Sequence, residues 1–139
     1  MSTLLAMTLP ARLDAAAQGV AFVVACATAA GLPPGRVAKI ELAVEEALVN
    51  ICRYAYGEGA GEIHIRCRCD ESGQFLIELV DTGRPFNILA QPEPDLTADL
   101  EQRPVGGLGV LLIRSLVDQV TYRREADRNI LQLAVQQSR

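Results

Sequence analysis

Between Val37 and Cys69 the apolar residues change their spacing from about 3.6 to about 2, which obliges the chain to pack a helix on a sheet. Val37, Ile40, Val44, Ala47, Leu48 and Ile51 recur at helical intervals and form one apolar stripe roughly 100° wide. The helix carrying them is expected to start at Pro33-Pro34, where a missing N–H costs nothing, and to run to Tyr56. Gly57 and Gly59 then terminate it. Beyond them Ile63, Ile65, Cys67 and Cys69 alternate with Glu62, His64, Arg66 and Arg68, the pattern of a half-buried strand. Glu71-Ser72-Gly73 turns the chain into a second strand, Phe75 to Asp81, and the two are expected to pair as an antiparallel hairpin.

The remaining segments fit around that pair. Thr3 to Leu9 reads as a short edge strand that Pro10 stops, opening a helix to about Ala30 that Gly31 ends. From Thr82 to Val105 the chain is irregular and holds four prolines, so it is expected to serve as a binding loop or lid. A helix begins near Gly109 and carries Leu111, Leu112, Ile113 and Leu116. Strands Gln119 to Arg124 and Asn129 to Val135 follow, joined at Ala126-Asp127-Arg128. Early helices and antiparallel strands predict an α+β fold, a two-layer sandwich of a mostly antiparallel sheet and helices, in one domain spanning 1–139.

Composition excludes several functions. A net charge of −4 with scattered Lys and Arg argues against a nucleic-acid footprint, which needs clustered cations to neutralise phosphates. No Trp is present, so an aromatic base-stacking platform is not expected. The uncharged stretch from Ala15 to Leu32 includes Gln18, Gly19 and Thr28, has no basic region before it, and reads as a buried helix rather than a membrane span or signal peptide. The chain is therefore expected to be cytoplasmic. Its four cysteines fit that compartment as small reduced apolar side chains, and Cys67-x-Cys69 alone is too few ligands for zinc. His64 lies on the polar phase of its strand and reads as solvated.

Three motifs carry possible chemistry. Glu46 and Asn50 are four apart in E-E-A-L-V-N, so they share one helix face, roughly opposite the Val44/Ile51 stripe, with Ala43 and Ala47 leaving room beside them. Alone, such a pair is also what an ordinary amphipathic helix shows. Asp81-Thr82-Gly83 closes an apolar strand, where a carboxylate could accept from an exocyclic amine and Gly83 would let a flat ring approach the backbone; a plain strand-to-turn boundary favours the same residues. Gly106, Gly107 and Gly109 stand just ahead of a helix, whose free N–H groups and positive dipole end suit phosphate. The Lys-Ser/Thr element of a Walker loop is missing, and no parallel βαβ unit surrounds these glycines.

In that order and spacing the motifs resemble the ATP-binding domain of the GHKL superfamily, with its Bergerat-type fold, and most resemble the bacterial anti-sigma factor serine/threonine kinases. Glu46 to Asn50 looks like the N box, D-T-G-R-P-F at Asp81 to Phe86 like the first glycine motif, and Gly106 to Asp118 like the second. Arg128 to Leu133 is similar to the family's last strand. The resemblance implies ATP and Mg2+ as cofactors. It makes Glu46 the general base, Asn50 the Mg2+ ligand, and Asp81 with Gly83 the adenine contact. Gly107, Leu108, Gly109 and Val110 would offer backbone N–H groups to the phosphates, and Asn129 stands where relatives often carry a Thr near the adenine. Where relatives often have His after the N box, this chain has Tyr54, which can donate a hydrogen bond but carries no positive charge near neutral pH.

The resemblance implies a regulatory kinase that phosphorylates a STAS-type anti-anti-sigma protein and holds a sigma factor, acting as a homodimer through its first helix and first strand, with no nucleic acid or membrane as partner. The substitution at Tyr54 keeps a second reading open, a nucleotide-responsive binding module that transfers no phosphate.

Overall fold

The segments at 62–69 and 75–81 do form neighbouring strands, and three more join them. A computed structural model of the chain describes residues 4–56, 61–90 and 107–137. Its strands are β1 (Leu5–Pro10), β2 (Glu62–Cys69), β3 (Gln74–Asp81), β4 (Gln119–Glu125) and β5 (Arg128–Gln136), and its helices are α1 (Ala16–Ala29), α2 (Pro34–Asn50) and α3 (Gly107–Leu116). The strands form one sheet in the order β1-β2-β3-β5-β4, with every neighbouring pair antiparallel. The expected α+β two-layer architecture is what the chain adopts, with β1 as an edge strand and β3 at the centre. Thr3, Gly57, Gly59, Gly106 and the part of the long irregular stretch at 91–105 lie outside the described residues.

One face of the sheet is dry because its in-phase residues are apolar on three adjacent strands. Ile63, Ile65 and Cys67 of β2, Phe75, Ile77 and Leu79 of β3, and Leu131, Leu133 and Val135 of β5 meet Val23 and Ala27 of α1, Ile40, Val44 and Leu48 of α2, and Ile113 of α3. On the opposite face Glu78 lies 3.7 Å from both Arg66 and Arg123, and His64 pairs with Thr8 across β1 and β2 at 2.7 Å. His64 is thus a strand-pair contact, half-buried rather than fully solvated. Cys26, Cys52, Cys67 and Cys69 are free thiols, and burial pushes the Cys26 and Cys67 thiols up from their ordinary value.

Four expectations shift in detail. Pro10 does not stop β1 but is its last residue, paired with Glu62; at the end of an edge strand a missing donor leaves no ladder bond unmade. The first helix starts only at Ala16, after a 3-10 turn at Leu13–Ala15. It is not buried all round. Gly19, Val23, Cys26 and Ala27 face the core, whereas Ala17, Ala21 and Ala25 are exposed, since α1 packs on α2 and the sheet with nothing described on its far side. The second helix is α-helical only to Asn50 and widens into a π segment at Ile51–Tyr56. Finally, α3 starts at Gly107, two residues earlier than expected, and β5 at Arg128, leaving Ala126 at φ 52° in the hairpin turn.

Leu48 of α2 is fully buried between the helical layer and the sheet. Leu48→Ala is expected to cost about 2–5 kcal/mol of unfolding free energy, read as a lower midpoint in urea with an unchanged slope.

Candidate functional site

Asp81 is the last residue of β3, paired with Ile63 of β2 and Asn129 of β5, and its side chain points into the helix-facing layer. It is 1% exposed, a buried carboxylate at the centre of the sheet. Oδ1 accepts from the Gly83 N–H at 2.9 Å and from Asn129 Nδ2 at 2.9 Å. Oδ2 has no hydrogen-bond partner among the described residues. Burial pushes the Asp81 carboxyl above its ordinary range, while the Asn129 amide, the Gly83 N–H and the Arg124 guanidinium pull it back.

The turn that follows is stitched to the π segment. Arg84 N donates to the Ala55 carbonyl at 3.1 Å, and Arg84 Nε donates to the Tyr54 carbonyl. Such wide turns occur often at functional sites. A Cβ on residue 83 would stand 2.7 Å from the Ala55 carbonyl oxygen and 3.1 Å from its carbon. Gly83 therefore has a reason beyond a ligand: the backbone of the π segment occupies the space a side chain would need. Tyr54 packs its ring on Phe86 with centroids 5.4 Å apart and planes tilted by 35°. The Cys52 thiol, raised first by its own burial, is raised further by the negative charge of Asp81, which sets these two side chains near each other.

Asn50 lies at the end of α2, one residue before the π segment, and is 3% exposed. Its Nδ2 donates to the Glu46 carbonyl at 2.7 Å, so Oδ1 is left without a partner among the described residues. A buried carboxamide oxygen in that condition suits a hard cation otherwise held by phosphate oxygens and water. No group of three or more His, Cys, Asp or Glu able to hold a metal ion occurs among the described residues. Glu46 is half-buried one turn earlier, and its carboxylate has no described partner.

The third motif lies on α3, which packs against α2. Arg36 Nη1 sits 3.4 Å from Asp118 Oδ2, which joins the first turn of α2 to the residue just past α3. The first turn of α3 is formed by Gly107, Leu108, Gly109 and Val110. A helix start offers unpaired N–H groups and the positive end of its dipole. Buried Ala43 and Asn50 extend the covered arc of α2 beyond the predicted stripe.

Asn129 does more than its place near the site foretold. Nδ2 donates to Asp81 Oδ1 and to the Arg84 carbonyl, both at 2.9 Å, and Oδ1 accepts from Phe86 N, Tyr122 Oη and Arg124 Nη1. Tyr122 and Arg124 were missed by the motif reading. The signal was present: both stand in phase with Val120 on β4, which puts an Arg and a Tyr on the apolar face of a strand.

Comparison with known proteins gives a consistent picture. The profile of the histidine kinase-like ATPase domain matches residues 9–135. A serine-protein kinase RsbW of Listeria monocytogenes serovar 1/2a is 29% identical over 119 residues, covering 82% of this chain and 75% of that protein. A serine-protein kinase RsbW of Bacillus cereus is 31% identical over 96 residues, covering 66% of this chain and 59% of the relative. The crystal structure of RsbU and RsbW domains from a Mycobacterium tuberculosis protein superposes with a TM-score of 0.69 at 19% identity, over 99% of this chain. This chain spans only 33% of that solved chain, and at such identity the likeness bears on the fold alone.

Two variants test the geometry. Gly83→Ala is expected to displace the turn from Ala55 and cost about 1–3 kcal/mol, seen as a lower urea midpoint. Asp81→Asn keeps the Oδ1 acceptor and removes a buried charge. Since the folded carboxyl sits above the ordinary value of about 3.9, the wild type's stability from proton uptake is full below that value and is lost as pH rises through the folded one. The stability of Asp81→Asn relative to wild type should therefore grow with pH across that window and level off above it, measured by urea unfolding at each pH. A gap that shrank with rising pH would contradict the burial of this charge.

Proposed function

This chain belongs to the histidine kinase-like ATPase domain family, and on that premise we propose that it is an ATP-binding regulatory serine/threonine protein kinase acting as an anti-sigma factor on a STAS-type antagonist protein. The observation that carries the reading is the buried Asp81 carboxylate. One oxygen is occupied by Asn129 and Gly83, and the other has no partner among the described residues. Relatives named serine-protein kinase support the transfer step.

Each residue has a role that its chemistry allows. Asp81 accepts a hydrogen bond from the exocyclic amine of adenine through Oδ2. The N–H groups of Gly107, Leu108, Gly109 and Val110 take the phosphate oxygens, and Asn50 Oδ1 holds Mg2+, which supplies charge neutralisation when bound. Glu46 removes the proton of a serine hydroxyl as that oxygen bonds to the γ-phosphorus and the bond to the β-phosphate oxygen breaks, releasing ADP. The same surface terms extend to partners: the exposed alanine face of α1 and the exposed Leu4 and Leu5 at the edge strand support a homodimer contact. No described helix is long and apolar enough to cross a membrane.

A second reading rests on Tyr54. Its ring is used in packing against Phe86 and its carbonyl in holding Arg84, which favours a chain that binds nucleotide to order this turn without transferring phosphate.

Incubation with labelled ATP, Mg2+ and a STAS-type antagonist separates the two. Glu46→Gln is expected to keep ATP affinity while losing phosphoserine formation by about 100-fold or more. Equal transfer by variant and parent removes Glu46 as the base, and ATP binding by the parent with no phosphoserine on any antagonist favours the second reading.

A further inference from the structure

Asn129 spends its whole hydrogen-bonding capacity on protein. A carboxamide has two N–H donors and an oxygen with two lone pairs. Here the nitrogen serves Asp81 Oδ1 and the Arg84 carbonyl, and the oxygen takes Tyr122 Oη at 2.6 Å, Arg124 Nη1 at 3.1 Å and Phe86 N at 3.2 Å. The partners also settle which way the amide points. A carboxylate and a carbonyl only accept, whereas a guanidinium and a backbone N–H only donate, so a flipped amide would face like against like on both sides. At 3% exposure the group has no solvent to fall back on.

We propose that Arg124 and Tyr122 are positioning residues for purine selection: through Asn129 they hold Asp81 Oδ1 engaged and the carboxylate ionised, leaving Oδ2 as a pure acceptor that takes adenine and rejects guanine. The inference rests on the adenine-binding reading above and deepens it. Adenine presents an exocyclic amine donor where guanine presents a carbonyl oxygen. An ionised carboxylate attracts the first and repels the second, whereas a protonated one could donate to guanine. The ionisation of Asp81 therefore sets the choice of base, and the groups around it set its ionisation.

Those groups come from every element packed on Asp81. From β4, Arg124 supplies the cation and also donates to the Gly83 carbonyl at 2.9 Å, tying the turn to the hub. From β5, Asn129 supplies a neutral donor, and from the turn Gly83 supplies an N–H. The π segment contributes the Cys52 thiol, kept neutral by burial and by Asp81 itself. On β2 the paired residue is the apolar Ile63. Arg124 is the one cation acting on the carboxylate among the described residues, although it touches only Asn129 and the turn.

The test is calorimetric titration of the full chain with non-hydrolysable ATP and GTP analogues across the acid-to-neutral range. Arg124→Met is expected to weaken the ATP analogue by about tenfold at neutral pH, to move the acid loss of binding to higher pH, and to narrow the preference for ATP over GTP. Arg124→Lys, which keeps the charge but not the planar fork, should restore the acid limb and part of the affinity. Tyr122→Phe should weaken the ATP analogue a few-fold with the cation still in place. If Arg124→Met fails to fold, Arg124→Gln, which likewise removes the cation, carries the same readouts. A wild type that binds ATP, with variants whose acid limb and ATP-over-GTP ratio match it, overturns this inference alone, as does equal weakening of both nucleotides. A wild type that binds neither analogue removes the adenine reading beneath it.

Discussion

Everything at the working end of this molecule is arranged around one carboxylate taken out of water. Burying an ionised Asp81 in the central strand costs several kcal/mol unless donors replace its hydration. The chain replaces half of that hydration with Asn129 and the Gly83 N–H. The other oxygen is left for a ligand to complete. The hub behind it, with Tyr122 and Arg124 reaching in from the next strand, explains why the last hairpin belongs to the site as well as to the sheet.

Two further constraints tie the neighbouring elements together. The π segment after α2 turns the carbonyls of Tyr54 and Ala55 toward Arg84, so the turn after β3 cannot drift from the end of α2. At the opposite end Arg36 and Asp118 hold the tail of α3 beside the head of α2. That pair is partly exposed and contributes little energy by itself. Its value is in register, since hydrophobic contact between α2 and α3 is tolerant of sliding and a charge pair is not.

How much of this was legible before the fold was known differs from element to element. The strands at 62–69 and 74–81 were read within a residue, the first because alternation is a local signal and the second because an apolar run follows a turn. The helix ends were read less well. Pro10 looked like a stop because proline lacks a donor, but whether a donor is missed depends on having a neighbour strand on that side, and β1 is an edge. The π segment at Ile51–Tyr56 had no signature in its residues, because its widening answers to acceptors that Arg84 takes from elsewhere in the chain. Glu46, Asn50, Asp81 and the glycines were found as motifs. Tyr122 and Arg124 were passed over, since a polar residue on an apolar phase reads as noise until its partner is known.

Sequence by itself determined the helix-on-sheet class, the central hairpin, and the residue types that could accept an amine, hold a hard cation or cradle a phosphate. Those depend on periodicity and on side-chain chemistry, which are properties of neighbours along the chain. Tertiary structure alone decided that Asp81 has one oxygen bound and one open, that Asn129 faces protein on all sides, and that Gly83 is needed because Ala55 stands against it. The deciding contacts, Asp81 with Asn129, Asn129 with Arg84 and Gly83 with Ala55, join residues far apart along the chain, and no local pattern records which donors a folded chain will bring to a buried acceptor.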